Sequence, residues 1–542
     1  MADLVEHILR RFSKVKSQRS LYETTWDEIS EFVGLTKGYA RSETTPGQRT
    51  DRRVYDTTAV QAKDFLAATL HGGLTNPSTK WVRLKSASPE LQTNDLIKRV
   101  MAQNTDLLFD VFNSPVMNFY SQNHEIFQDL VLFGSACMYI EENDKGLPIF
   151  HTLPIQEIYA SVNKNRLIDT VWRKFKFSAR QAAQFFGIDK LPDKVTKALA
   201  KDPEDTFEFL HVVMPNEEYI TGSKRALSRP FIGHYISLDD KALIDTGGFY
   251  EMPYIIPRWT TRPGEVYGIS PAWQAMTDIR FLNKLEKDLL IGTELAVAPT
   301  MLVADDGVMM PLRTVPRGVI FGGTDPITGN DLVKPLHIPR GFDVGMAIAE
   351  EKKKAIRNAF FIDPLLNTPV KSNITVEERL QRSDEKLRLL GPHVGRMKNE
   401  YLDPLVKRTY GILQRGNHLV ELPDEIADLV EQEGLGIEYS TPLAQTERSS
   451  EPLALQRLLN VFLPFLQTNP ELLDNLNLDI AFKESSEIGG VPNRWMIPDQ
   501  VRDQMRQARQ QQQAQMQALQ SVNEGVKTAS IAKKSGLLDE EA

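Results

Sequence analysis

A Ser-Pro step starts the stretch that most narrows what this chain can fold into: YGISPAWQAMTDIRFLNKLEKDLLI, residues 267–291. Ser270 suits a helix N-cap, and Pro271 suits the first helical position, where its missing N–H would be unpaired anyway. From there the apolar period predicts a helix to about residue 296, roughly 35–40 Å long at 1.5 Å per residue. Ile279, Leu282, Leu285 and Leu289 share one face at i+3 and i+4 steps, and Arg280, Lys284 and Lys287 share the opposite one. Residues 297–341 then turn Pro- and Gly-rich with short β runs, and EEKKKAIRNAFF marks a return helix over about 344–361. Two helices flanking a small β insert make a hairpin-like stalk with a tip.

A stalk needs a body, and the chain is long enough for one. Its 542 residues and 61.4 kDa allow two to four compact regions, since single cores stop growing at roughly 250–300 residues. A hydrophobic share of 41% with 25% charged residues supports neither wholesale disorder nor a membrane class. The apolar run LVLFGSACMYI is shorter than the roughly 20 residues a bilayer span needs. MADLVEHILRRFSKVK has no apolar signal core, so no export signal is read there. Cys137, the sole cysteine, excludes an internal disulfide, fits a reducing cytosol, and reads as an inert buried thiol. Net charge is −8, and gripping phosphates takes Lys and Arg clusters, so the chain suits DNA that slides better than DNA held in place.

The body reads as α+β and mainly helical. Apolar residues from Leu4 to Val33 recur at helical spacing and predict two packed helices split near Ser17–Ser20. TKGYARSETTPGQRTDRR follows as an extended arm, and DTTAVQAKDFLAATLHGGL as a helix stopping at Gly72-Gly73. NPSTKWVRL passes from loop to short strand, and residues 92–140 read as mainly helix. Between about 147 and 258, runs such as LPIFHTL, TVWRKFKF, EFLHVVM and PFIGHYISL predict strands, interrupted by one helix capped by Ser178. Thr375 with Glu378 forms a capping box for a long helix that Gly391-Pro392 must break or kink and Gly416 ends. The remainder to about 522 is mostly helical. In its Gln-rich end Val501, Met505, Ala508, Met516 and Leu519 form a narrow stripe with Gln512 at the gap, which suits either a self-associating helix or a surface tail.

Signatures of catalysis are missing. Gly222-Ser223-Lys224 lacks the upstream Gly of a phosphate loop and reads as a turn. His124-Glu125 has Gln128 where a zinc-type second His would stand, and Asp305-Asp306 and Asp539-Glu540-Glu541 read as solvated carboxylates. GISPA is superficially like a nucleophile elbow, but the residue after Ser270 is Pro271, which has no N–H to offer an oxyanion. No enzyme activity, cofactor or metal is expected.

Four stretches taken together, LHGGLTNPSTKWVRL, VYGISPAWQAMTDIRFLNKLEKDLLIGTELAVAPT, NITVEERLQRSDEKLRLLGPHVGRMKNEYLDPLVKRTYGILQRG and GGVPNRWMIPDQV, resemble in order and spacing the portal proteins of short-tailed bacteriophages, the podovirus-type head-to-tail connectors. The resemblance covers roughly residues 5–510. It implies a portal fold in a ring of about twelve copies, each with wing, stem, clip and crown. The wing would be 1–266, the stem 267–296 and 342–361, the clip 297–341 and the tunnel loop 362–374. The long kinked wing helix would be 375–422, the crown 423–522 and a flexible tail 523–542. Such a ring sits at the unique capsid vertex of the virion after assembling in the host cytoplasm, without a membrane. It nucleates procapsid assembly with major capsid and scaffolding proteins, docks the terminase large subunit, passes double-stranded DNA in packaging and ejection, and receives the tail adaptor protein.

On this reading Arg280, Lys284 and Lys287 face the DNA channel or a neighbouring stem carboxylate such as Glu350 or Glu351. Ile279, Leu282, Leu285 and Leu289 pack between stems, and Lys371 and Asn373 approach DNA from the tunnel loop. About twelve copies at −8 each carry about −96, which favours sliding. The alternatives are an adaptor or nozzle ring of the tail, and a multidomain enzyme acting on nucleic acid.

Overall fold

No Gly or Pro interrupts residues 2–32, and the computed structural model makes them one helix, α1 (Ala2–Phe32), 31 residues long. The expected split near Ser17–Ser20 does not occur. Ser20 Oγ is absorbed by a bond to Ser17 O at 2.8 Å, and Arg19 ties the same turn down. Buried at 1% exposure, Arg19 donates to the carbonyls of Ile155, Gln156 and Ile158 at 3.1, 2.8 and 2.6 Å. The apolar phase shifts there because the helix changes partner. Val5, Ile8 and Phe12 pack with Trp172, Leu210 and Ile236 of a sheet, whereas Trp26, Ile29 and Val33 enter the main core.

The residues described are 2–35, 53–88, 91–220, 225–303, 342–362, 390–421 and 435–439, with shorter pieces between 324 and 335 and between 455 and 514. The chain divides into two compact units, Met1–Ala444 and Gln445–Ala542.

In the first unit α1 is followed by α2 (Thr58–Leu74), β1 (Val82–Ser86), α3 (Asp95–Asn113) and α4 (Phe119–Phe133). α2 continues through Gly72 and Gly73, one turn's fraction past the expected stop. The strand-rich stretch is β2 (Cys137–Glu142), β3 (Pro148–Leu153), β4 (Ile158–Val162), β5 (Ile168–Ser178), β6 (Thr206–Pro215), β7 (Phe231–Ser237), β8 (Ala242–Phe249) and β9 (Tyr254–Ile255). It forms an antiparallel three-stranded sheet, β3-β2-β9, and an antiparallel five-stranded one, β4-β5-β6-β7-β8. Ser178 caps α5 (Ala179–Phe186) in a capping box with Gln181, and a further helix, α6 (Asp193–Lys201), lies before β6. Cys137 is buried, and burial pushes its thiol far above the usual range, which makes it inert.

Next comes α7 (Pro271–Val297), a short antiparallel pair β10 (Met301–Val303) and β11 (Val333–Pro335), and α8 (Phe342–Ala359). After residues outside the description come α9 (Gly391–Met397) and α10 (Asp403–Arg415), joined by a wide π turn at Lys398–Leu402. Pro392 sits in the first turn of α9, and Thr375 and Glu378 lie outside the described residues. The irregularity that is described falls at the next proline. Pro404 cannot donate to Glu400 O, its ring would crowd that carbonyl, and the Asp403 N–H reaches Lys398 O instead. A strand β12 (Leu435–Tyr439) pairs with β1. The second unit contains a helix Leu478–Ile488 and helical residues 504–512, linked by Arg506 clamping Asp479 at 2.5 and 2.7 Å.

Candidate functional site

The α7–α8 hairpin is positioned by two glycines. Gly134, at φ +80°, closes α4, and a Cβ on it would lie 2.5 Å from Gly268 O; a Cβ on Gly268 would lie 2.1 Å from Gly134 O. Backbone touches backbone there, with Gly268 N–H donating to Ser135 Oγ at 2.8 Å and Trp259 N–H to Gly134 O at 2.8 Å. Two residues later Ser270, fully buried, accepts from Trp273 N–H at 2.9 Å and starts α7. Ser270 is a cap, as its sequence context predicts.

Further support comes from the other side of the core. Arg258 forms a bidentate pair with Glu400 of the π turn at 2.9 and 2.8 Å, both largely buried, and Trp259 stacks on His393 of α9 at 4.1 Å. Burial lowers the pKa of His393, so the stacked ring is neutral at pH 7.

Along α7 the first turns face inward. Ile279 and Leu282 are buried in the core of their own chain, Leu285 packs against it, and Leu289 presses its Cδ2 onto the backbone at Gly345 of α8. Packing by Ile279 and Leu282 is therefore within one chain. Charge pairs staple the two helices: Lys352 with Asp278 at 2.8 Å and Lys353 with Glu286 at 2.8 Å. Hydrogen bonds to Asp278 and Glu286, respectively, raise the pKa of both lysines. Farther along, Leu290, Ile291, Leu295 and Val297 of α7 and Val344 and Met346 of α8 are exposed.

The three basic residues of α7 are on the surface, in three different settings. Arg280 pairs with Glu28 of α1 at 3.2 Å, so within the chain its carboxylate is neither Glu350 nor Glu351. Lys287 lies over the Tyr55 ring at 5.7 Å. Lys284 is exposed and makes no ion pair among the described residues. Arg53, the last residue of the expected extended arm, and Tyr55 just after it lie against this face: Asn283 Oδ1 accepts from Tyr55 N–H at 2.7 Å and Asn283 Nδ2 donates to Arg53 O at 2.8 Å. Glu28 and Tyr55 carried no sequence signal, because each meets α7 across more than 200 residues of chain. Lys371 and Asn373 lie outside the described residues, as do Asp305, Asp306 and Gly222–Lys224.

The geometry is that of a scaffold element. Among the described residues no group of three His, Cys, Asp or Glu could hold a metal ion, and no helix is long and apolar enough to cross a membrane. Comparison with known proteins decides the family, since the model for bacteriophage head to tail connecting proteins matches residues 5–497. The chain belongs to that family. It is 27% identical over 542 residues to a portal protein of Salmonella phage epsilon15, covering 98% of this chain and 96% of the relative. It is also 24% identical over 544 residues to a probable portal protein of Bordetella phage BPP-1, with the same coverages. Both relatives carry the name of portal proteins and neither that of an enzyme, and the resemblance seen in the sequence holds over nearly the whole chain.

Proposed function

We propose that the chain is the subunit of a phage portal: about twelve copies in a ring at the unique vertex of the head, around a channel for double-stranded DNA. The observation that carries this reading is the near full-length match to portal proteins of two phages. Supporting it, the distal part of the α7–α8 hairpin leaves six apolar side chains in water, a surface that a neighbouring copy would cover. In the ring, α7 and α8 are the stem, the β10–β11 insert the clip and the last helices the crown. Leu289 and the exposed residues beyond it pack between copies. Lys284 meets passing DNA most directly, since Arg280 and Lys287 already have partners inside the chain. Lys371 and Asn373 are assigned to the loop that approaches the duplex.

The ring docks the terminase large subunit during packaging and the tail adaptor protein afterwards, and starts assembly with scaffolding and major capsid proteins. Native mass spectrometry with negative-stain imaging of the purified chain tests the proposal. A closed ring of about twelve with a central hole is the expected result, and a monomer or dimer across the micromolar range sinks it.

A further inference from the structure

A second cluster uses none of the hairpin residues. A cleft of about 250 Å³ opens between β2, the end of β8, the loop holding Arg229, and α10, with Glu141, Glu142, Arg229, Tyr250, Arg408 and Arg415 in its wall. Two of its arginines are fully engaged. Arg408, 4% exposed, donates to Ile140 O through Nε and Nη2 at 3.1 and 2.8 Å and to Glu251 O through Nη1 at 2.9 Å. Arg415 holds the Glu251 carboxylate in a bidentate pair at 2.7 and 2.9 Å.

Arg229 differs. Nη1 donates to Gly248 O at 2.8 Å, Nε is shut from water with no acceptor, and no carboxylate pairs with the guanidinium among the described residues. Glu142, exposed at the end of β2, feels the charge of Arg408 but makes no close ion pair among the described residues. A half-buried guanidinium without a counter-charge is a standing cost that an arriving ligand would relieve. It is also held in place beforehand: Arg229 and Arg415 both lie on the ring of Tyr250, at 4.5 and 4.7 Å from its centre.

We propose that this cleft docks a loop of a partner protein that brings a carboxylate side chain to Arg229 and a basic side chain to Glu142. Three arginines and the three glutamates Glu141, Glu142 and Glu251 surround the space, so its charges nearly cancel. A phosphate-rich ligand such as the DNA backbone would meet Glu141 and Glu142, whereas one charge of each sign is complementary to both walls. The volume fits one or two side chains and lies below the roughly 300–1,000 Å³ of small-molecule pockets. All the residues belong to one chain, so the site does not depend on ring formation.

The test uses the full-length protein and short fluorescent peptides in which one Glu and one Lys are set at every spacing up to about five residues, read by anisotropy. At least one spacing should bind saturably, with a Kd weakened about tenfold or more by Arg229→Gln and by Glu142→Gln, and binding should be lost when both charges are replaced by Gln. Because Glu142 is on the surface, Glu142→Gln serves as the variant that keeps its fold. Absence of saturable binding at every spacing, equal binding by wild type and Glu142→Gln, or displacement by inorganic phosphate or a DNA duplex at matched ionic strength would each overturn the proposal.

Discussion

The two ends of α7 are built from similar residues and end in opposite situations. From Pro271 to Leu282 most apolar side chains are buried, among them Ala272, Ala275, Met276, Ile279 and Leu282, with Phe281 exposed at 47%. From Leu290 to Val297 the same helix exposes Leu290, Ile291, Leu295 and Val297, the last at 82%. Amphipathic spacing is shared by both ends, so it does not distinguish a residue that stabilises the chain from one that waits for a neighbour. What differs is the material opposite: α4, α1 and the aromatic core near Ser270, against α8 alone among the described residues farther out.

Substitutions can break or sharpen that contrast. The largest effect is expected from Arg258→Ala, which leaves the largely buried Glu400 with Arg396 alone at 3.3 Å, strips donors from the carbonyls of Val266 and Arg166, and should cost about 3–5 kcal/mol in chemical denaturation. Next comes Leu282→Ala at the inner end, where a cavity should cost about 2–5 kcal/mol in the same measurement. Acidification is expected to weaken the strand-rich region through His211, whose Nδ1 lies 2.6 Å from Tyr254 Oη. Burial first, then Arg173 and His234, pushes its pKa down to about 3. Since the unfolded ring takes up its proton below about pH 6.5, the contribution of a neutral His211 is full above that pH and is lost as pH falls toward 3. Melting temperature followed from pH 7 to pH 4 should drop less steeply in His211→Phe than in the wild type. At the outer end, Ile291→Glu should change unfolding of the single chain by no more than about 0.5 kcal/mol while shifting native mass from ring to monomer. A ring that survives Ile291→Glu paired with Leu290→Glu would show that the outer end is not the contact. Lys284→Glu should have the smallest effect on stability, near zero, and is read by DNA packaging instead.

Much of the fold was legible where the signal is local. Ser270 with Pro271, and Ser178 with Gln181, cap their helices because a cap is settled within three residues. The β-branched runs become β3, β5, β6 and β7 for the same reason, as alternation needs only a few residues. Reading the apolar period of α1 as two helices failed because a change of packing partner and a break in the helix leave the same phase shift. The partners of the candidate site were invisible: Glu28 and Tyr55 meet α7 only after the chain has returned on itself.

The sequence by itself determined the family, most of the order of helices and strands, the capped start of α7 and its two-faced character, since each depends on residues that are neighbours along the chain or on a pattern running its whole length. Tertiary structure alone decided which basic residues remain available, with Arg280 tied to Glu28, Lys287 over Tyr55 and Lys284 without an ion pair among the described residues. It alone decided too that Ile279 and Leu282 serve the chain while Ile291 and Val297 stay in water. Availability is a property of what lies across a few ångströms of space, and that distance is set only when segments hundreds of residues apart come to rest against one another.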